Sequence, residues 1–196
     1  MKPCRALLAP VCAAALLLPS LSNAAPVVYS GKLVSGIGAA GSAAGFSWFL
    51  EQGSGLSFWQ LSANANDTVT VQVDRLNGNL DPALSFYRGT TSADTSLFDS
   101  TGSWGGLTFI GSLDDERPPF TTPGPNGDPF GTFTVAVGGL YTVAVGGALS
   151  TDAGTYPFRI TMTTVAAVPE PESVALLGLG LAVLAAVRRR RRASAR

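Results

Sequence analysis

The sequence has no histidine among its 196 residues. Its two cysteines, Cys4 and Cys12, both lie within residues 1–24. Ser-His-Asp and Cys-His catalysis, and metal sites built on imidazole, are therefore excluded. Because residues 25–168 contain no cysteine, they form neither a disulfide nor a thiolate metal site. This region must be stabilised by its apolar core or by a bound metal.

Charged residues make up only 13% of the chain, and their signs are segregated. The low charge excludes a coiled coil and a charge-rich disordered chain. Residues 1–24 have a net charge of +2, and residues 169–196 have a net charge of +4. Residues 25–168 contain five bases and eleven acids, a net charge of −6. Such an acidic region lacks the basic footprint of a nucleic-acid binder, so no nucleic-acid partner is expected.

Residues 1–24 have the three parts of a signal peptide. A basic start is followed by an apolar stretch over residues 6–18 and then by small residues. We expect signal peptidase to cleave after Ala24, with cleavage after Ala25 as the second choice. The alternative is an uncleaved membrane anchor, which is disfavoured because the apolar stretch is short and prolines interrupt it.

Residues 169–196 contain a short motif, an apolar run and an arginine cluster. The motif consists of Pro169, Glu170 and Pro171. Residues 174–187 are predicted to form a single transmembrane helix, which is short for a bilayer unless the arginine side chains snorkel. The arginines should remain in the cytoplasm and place the preceding chain on the opposite side of the membrane. This cytoplasmic stop consists of Arg188, Arg189, Arg190, Arg191 and Arg192.

This tripartite tail resembles the PEP-CTERM sorting signal of Gram-negative bacteria. The resemblance implies that the tail holds an exported precursor in the inner membrane until an exosortase cuts near Pro169–Pro171. It also implies release to the cell surface or to the extracellular polysaccharide matrix. The alternative is an ordinary tail anchor with a proline-containing stalk. Signal peptidase and exosortase are thus the expected processing partners.

Residues 25–168 are predicted to form one all-β domain. Apolar residues alternate with polar ones in several short runs, and Gly and Asn turns separate the runs. This pattern favours an antiparallel β-sandwich or jelly roll. The alternating sets are Val69, Val71 and Val73; Phe158, Ile160 and Met162; Leu84 and Phe86; and Phe46, Trp48 and Leu50.

A short repeat predicts a β-hairpin. The sequence TVAVGG occurs at residues 134–139 and again at residues 142–147. A three-residue loop over residues 138–140 would pair Val135 with Val143 and place the large apolar side chains on one face, leaving Thr134 and Thr142 more exposed. Two other segments are predicted to be loops: a Gly/Ala/Ser stretch over residues 36–45 and a proline-rich stretch over residues 114–129.

The order of these features resembles the bacterial pre-peptidase C-terminal domain. The matching segments are residues 67–73, residues 80–87, Asp114-Asp115 and residues 139–145. The resemblance extends over residues 46–163 and implies a jelly-roll sandwich that serves as a non-catalytic accessory module. The proline-rich insertion after Asp115 departs from the plainest members of that family.

The densest acidic cluster suggests a calcium site. Hard cations take six to eight oxygen ligands, commonly from one irregular loop. No cofactor other than calcium is indicated, and the alternative is a solvated acidic loop without a metal. A further acid, Asp81, stands before its own proline. The residues assigned to the calcium site are Asp114, Asp115, Glu116 and Asp128.

These observations favour a non-enzymatic exported protein with a structural or adhesive role. The alternative is a carbohydrate-binding module that retains matrix polysaccharide through exposed aromatic side chains, and a hydrolase ranks third. The aromatic candidates for that module are Trp48, Trp59, Trp104 and Tyr87. Among them, Trp104 is the strongest candidate for exposure, since it lies in a glycine-containing loop, although a buried or half-buried packing role is favoured for each of the four.

Overall fold

The described residues contain nine β-strands. The structure is a computed structural model that describes residues 25–149 and 154–167, together with Leu181. The strands are β1 (Tyr29–Lys32), β2 (Gly38–Ala44), β3 (Ser57–Ala63), β4 (Thr68–Arg75), β5 (Pro82–Arg88), β6 (Thr108–Leu113), β7 (Phe130–Thr134), β8 (Gly139–Gly147) and β9 (Thr155–Val165).

Two sheets form a β-sandwich. The five-stranded sheet has the order β1-β3-β8-β5-β6, and the four-stranded sheet has the order β2-β9-β4-β7. All neighbouring strands are antiparallel except β1 and β3, which are parallel. The predicted all-β sandwich is confirmed.

The main core lies between the two sheets. Alternate residues of each inner face meet there, as period-two patterning requires. Phe86 of β5 stacks on Phe133 of β7 across the core, with ring centroids 4.5 Å apart. The alternating residues of β4 and β9 are all buried in this core: Val69, Val71, Val73, Phe158, Ile160 and Met162.

A second core covers the outer face of the five-stranded sheet. Phe58 and Tyr87 project outward from β3 and β5 and pack against side chains of the segment between β5 and β6. Trp104 belongs to this cluster and is only 6% exposed, with its ring 5.7 Å from that of Phe98. Trp104 therefore has the packing role favoured for each of these aromatics, but its choice as the most exposed of them is wrong, because Trp48 is more exposed. The loop that carries Trp104 folds back over the apolar outer face of the five-stranded sheet. The sequence does not show that this face is covered.

The predicted hairpin between residues 134–139 and residues 142–147 does not form. β7 pairs with β4 in the four-stranded sheet, whereas β8 pairs with β3 and β5 in the other sheet. Val135 and Val143 are both buried, as predicted, but they reach the shared core from opposite sheets. Thr142 is buried as well, which contradicts its predicted exposure, because both faces of the five-stranded sheet are covered.

Residues 36–45 were expected to form a loop, yet most of them form β2. The strand pairs with β9 along its whole length, from Gly38 opposite Thr161 to Ala44 opposite Thr155. Small side chains are required here: a Cβ on Gly41 would lie 2.6 Å from the Phe158 ring. Backbone pairing and close packing therefore overcome the low strand propensity of glycine.

The alternation of Phe46, Trp48 and Leu50 does not mark a strand. Residues 45–50 form consecutive turns, in which the Leu50 N–H donates to the Phe46 carbonyl at 3.0 Å. The Trp48 N–H donates to the carbonyl of Gly147, also at 3.0 Å. A Cβ on Gly147 would lie 1.9 Å from the Gly45 carbonyl oxygen, so the turn crosses β8 where only glycine fits.

Residues 114–129 connect β6 to β7 without a strand of their own, as predicted. The predicted signal peptide and nearly all of the sorting tail lie outside the described residues. Within the described part of the chain, no helix has both the length and the apolar character needed to cross a membrane.

Candidate cation site

Three carboxylates meet at one end of the five-stranded sheet. Asp81 immediately precedes β5, and Asp114 and Asp115 immediately follow β6. Because β5 and β6 are antiparallel neighbours, with Leu84 opposite Leu113, the start of one strand lies beside the end of the other. Carboxylate oxygens of the three residues lie within 4.8 Å of one another.

Asp81 is the buried member of this cluster. It is only 1% exposed, and its Oδ1 has no hydrogen-bond partner among the described residues. Its Oδ2 accepts a hydrogen bond from Nδ2 of Asn126 at 2.8 Å. Asp114 is half-buried, and its Oδ1 likewise has no hydrogen-bond partner in the described part of the chain. Two buried carboxylate oxygens are thus left without a donor.

The residues at the far end of the loop also contact the cluster. Asn126 adopts a left-handed backbone conformation, with φ of 60°, which asparagine tolerates better than most residues. The next amide, Gly127 N–H, donates to Oδ1 of Asp115 at 2.8 Å. The start and the end of the 114–129 loop therefore meet at the three acids.

The cationic side chain that approaches the cluster is Arg75, and three of its five N–H groups donate to other acceptors. Its Nε donates to Oδ1 of Asp128 at 2.6 Å. Its two terminal nitrogens donate to the carbonyls of Pro125 and Gly127. The closest approach of its guanidinium to Asp81 Oδ1 is 3.6 Å, which is an ion-pair contact beyond hydrogen-bond distance.

Burial and mutual repulsion perturb the acids. Burial, followed by the negative charges of Asp115, Asp81 and Glu116, raises the pKa of Asp114 to about 7. Burial also raises the pKa of Asp81, although the hydrogen bond from Asn126 opposes that shift. Both shifts reflect negative charge that is incompletely compensated.

The four residues assigned to the calcium site from the sequence have different surroundings. Asp114 and Asp115 lie together, and Asp81 joins them. Glu116 instead accepts hydrogen bonds through Oε2 from the backbone amides of Asp114 and Phe130, and Asp128 pairs with Arg75. The position of Asp81 before a strand was visible in the sequence, but its proximity to Asp114 depends on which strands pair.

The aromatic candidates are mostly internal. Trp59, Trp104 and Tyr87 are buried, and half-buried Trp48 donates from Nε1 to Oγ of Ser85 at 2.8 Å. The exposed aromatic side chains of the described residues are different ones: Phe49, Phe120 and Phe130.

The processing sites lie largely beyond the described residues, as do the sorting motif and the arginine stop. The structure does describe Ala25, the residue that would follow the expected signal-peptidase cut after Ala24. Its backbone nitrogen donates to Oδ1 of Asp94 at 3.1 Å.

The family model described as the PEP-CTERM protein-sorting motif matches residues 167–192. The chain carries a PEP-CTERM sorting motif. The prediction made from the tripartite tail is confirmed, and the motif implies an exported protein that is sorted by an exosortase. No curated protein sequence matches the chain significantly.

Several solved structures resemble the PEP-CTERM chain in fold. CorA of Methylomicrobium album BG8, a surface-associated copper-binding protein, matches 70% of this chain and 98% of its own, with 14% identity and a TM-score of 0.50. PliG of Aeromonas hydrophila, a periplasmic inhibitor of g-type lysozyme, matches 66% and 85%, with 16% identity and a TM-score of 0.41. The pre-peptidase C-terminal domain of a Bacillus anthracis collagenase matches 70% and 98%, with 11% identity and a TM-score of 0.40.

Proposed function

We propose that this protein is a non-enzymatic structural or adhesive β-domain of the cell surface or extracellular polysaccharide matrix. In this proposal, residues 1–24 are removed by signal peptidase, residues 25–168 form the exported domain, and residues 169–196 are the sorting signal. The inner membrane holds the precursor only transiently. The absence of histidine supports a non-enzymatic role, since the commonest general base is missing.

The observation that carries the proposal is the position of the sorting motif relative to the last strand. β9 ends at Val165 and lies between β2 and β4. A cut at residues 169–171 therefore removes the tail and leaves every described strand intact. A cut a few residues earlier would shorten a strand on which two neighbours depend. The sandwich and the signal are thus separable by one cleavage.

Sorting is tested by following the precursor in cells that contain an exosortase. We expect the wild-type chain to be converted to a shorter form that lacks the arginines. Replacing Pro169, Glu170 and Pro171 with alanine should trap the precursor in the inner membrane. Pro118→Ala with Pro119→Ala, in the 114–129 loop, is the matched control and should be processed normally. Unchanged processing of the Pro169–Pro171 variant would refute the proposed route.

A surface aromatic pair supports a second candidate, carbohydrate binding. Phe120 is 75% exposed and Phe130 is 42% exposed. The guanidinium carbon of Arg117 lies 5.6 Å from the Phe120 ring centroid and 5.9 Å from that of Phe130. Exposed aromatic rings pack on the apolar faces of sugars. The Arg117 guanidinium between them is itself paired with Asp74, so the two rings are the groups that would contact a sugar.

Binding to matrix polysaccharide separates the two candidates. A carbohydrate-binding module should retain polysaccharide, lose it in Phe120→Ala, and keep it in Phe49→Ala, since Phe49 is similarly exposed but lies at the turn after β2. If the wild-type protein binds no polysaccharide, the structural role stands and the module is rejected.

A further inference from the structure

We propose that Asp81, Asp114 and Asp115 bind a calcium ion that fastens the 114–129 loop to the five-stranded sheet. The site is independent of the sorting motif, because it is built entirely within the exported sandwich. It would add a calcium requirement to the folding or adhesion of that domain.

The buried oxygen of Asp81 is the observation that points to a ligand. A carboxylate removed from water is costly unless hydrogen bonds or a positive charge compensate it. Asp81 Oδ1 is buried and has no hydrogen bond among the described residues. The Arg75 guanidinium approaches it only to 3.6 Å, and three of its five N–H groups donate to other acceptors. A cation between Asp81 and Asp114 would compensate both carboxylates.

The geometry of the three carboxylates suits one ion. Calcium binds oxygen ligands at about 2.3–2.6 Å, so two ligands on opposite sides of the ion lie at most about 5 Å apart. The oxygens of Asp81, Asp114 and Asp115 lie within 4.8 Å of one another. Partly exposed Asp115 and half-buried Asp114 leave room for water to complete the coordination sphere.

The donor set favours calcium over other metals. It consists of carboxylate oxygens, which hard cations prefer, and it contains neither imidazole nor thiolate. Magnesium requires nearly ideal octahedral geometry and keeps most of its water. An irregular loop that supplies carboxylates with unequal burial matches the more variable coordination of calcium.

Calcium at this site would act on both ends of the loop. Asp114 and Asp115 begin the loop, and Asp81 begins the adjacent strand. The far end of the loop is already joined to the same acids through Asn126 and Gly127. Orienting the carboxylates around an ion therefore positions the acceptors for those two hydrogen bonds.

The test compares thermal unfolding of the full chain in calcium chloride and in EGTA. We expect calcium at a hundredfold excess over its dissociation constant to raise the melting temperature by roughly 5–10 °C. Magnesium at the same concentration should raise it much less. Calcium titration followed by calorimetry gives the dissociation constant directly, without reference to any activity.

Isosteric variants give the decisive outcome. In EGTA, Asp81→Asn and Asp114→Asn should melt at or above the wild-type temperature, because each removes a repelling charge. In calcium, both should melt below the wild type and bind calcium at least about tenfold more weakly. If an acid had a purely structural role, replacing it would lower the melting temperature both in calcium and in EGTA.

Glu116→Gln is the matched control, since Glu116 lies next to the cluster but accepts hydrogen bonds from backbone amides. It should retain the calcium response. The proposal is overturned if the wild-type melting temperature is indifferent to calcium and EGTA. It is equally overturned if magnesium stabilises as much as calcium, if Asp81→Asn and Asp114→Asn keep the full response, or if Glu116→Gln loses it.

Discussion

At the scale of single residues, Asp94 contacts the first described residue of the chain, Ala25. Its carboxylate accepts hydrogen bonds from the backbone nitrogens of Ser96 and Ala25. These interactions lower the pKa of Asp94, with the bonds to Ser96 contributing most. If signal peptidase cuts after Ala24, the Ala25 nitrogen becomes a charged α-amino group that faces this carboxylate.

We expect the exported protein to begin at Ala25 and its α-amino pKa to lie above the usual value of about 7.7–8.0. The ion pair should stabilise the fold below that value, and its contribution should be lost as pH rises through the elevated pKa. The contribution of Asp94 should be lost at the acidic end, as pH falls through its lowered pKa. An NMR titration of the α-amino group tests the first shift.

Asp94→Asn is the control for that titration, and it should return the α-amino pKa to the usual range. A mature protein that begins at Pro26, or an α-amino pKa that is the same in both proteins, would contradict the expectation.

At the scale of elements, a buried arginine holds the 114–129 loop. Arg75 lies at the end of β4 and is fully buried with Asp128. Its donors reach three residues of the loop end: Pro125, Gly127 and Asp128. The loop has no strand of its own and contains a single antiparallel bridge, between Arg117 and Asp128. The ion pair therefore supplies part of the order that a sheet would otherwise provide.

Replacing Arg75 should therefore destabilise the protein strongly. Removing one partner of a buried ion pair leaves an uncompensated charge, and Arg75→Gln should cost about 3–5 kcal/mol in the free energy of unfolding. Urea denaturation measures this change. Arg88→Gln, at the exposed end of β5, should change the free energy by less than about 0.5 kcal/mol. If Arg75→Gln changed the free energy of unfolding as little as Arg88→Gln, the buried pair would contribute little to stability.

At the scale of the whole molecule, the last strand determines where the chain can be cut. β9 pairs with β2 from Thr155 to Thr161 and with β4 as far as Val165. Beyond it, the Ala167 N–H still donates to Asp67 at 3.3 Å. The described sandwich thus ends close to the beginning of the sorting motif.

Chains that begin at Ala25 and differ in their last residue test this boundary. A chain that ends at residue 168 should fold and unfold cooperatively. A chain that ends at residue 160 should fail to fold, because it lacks Met162 of the core and five of the eight residue pairs between β9 and β4. Circular dichroism and urea denaturation distinguish the two results. Cooperative folding of the shorter chain would place the domain boundary earlier than the structure indicates.

Part of the fold and of the site could be predicted from the sequence. Alternation identified the inward residues of β4 and β9, since a strand repeats every two residues regardless of its partner. The same rule correctly placed Val135 and Val143 in the core but misassigned them to one hairpin. Burial of one face of a strand does not specify which strands are its hydrogen-bonded neighbours. The acids at positions 114 and 115 were likewise identified as a cluster, whereas Asp81 was noted before its own proline but was not assigned to the site.

The sequence by itself determined the sorting motif, the all-β class and the exclusion of histidine chemistry, because these depend on composition and local order. Only the tertiary structure decided the strand neighbours, the burial of Trp104 and the meeting of Asp81 with Asp114. Each of these brings together segments that are distant along the chain. Their contact depends on the packing of two sheets and a covering loop, which no local pattern encodes.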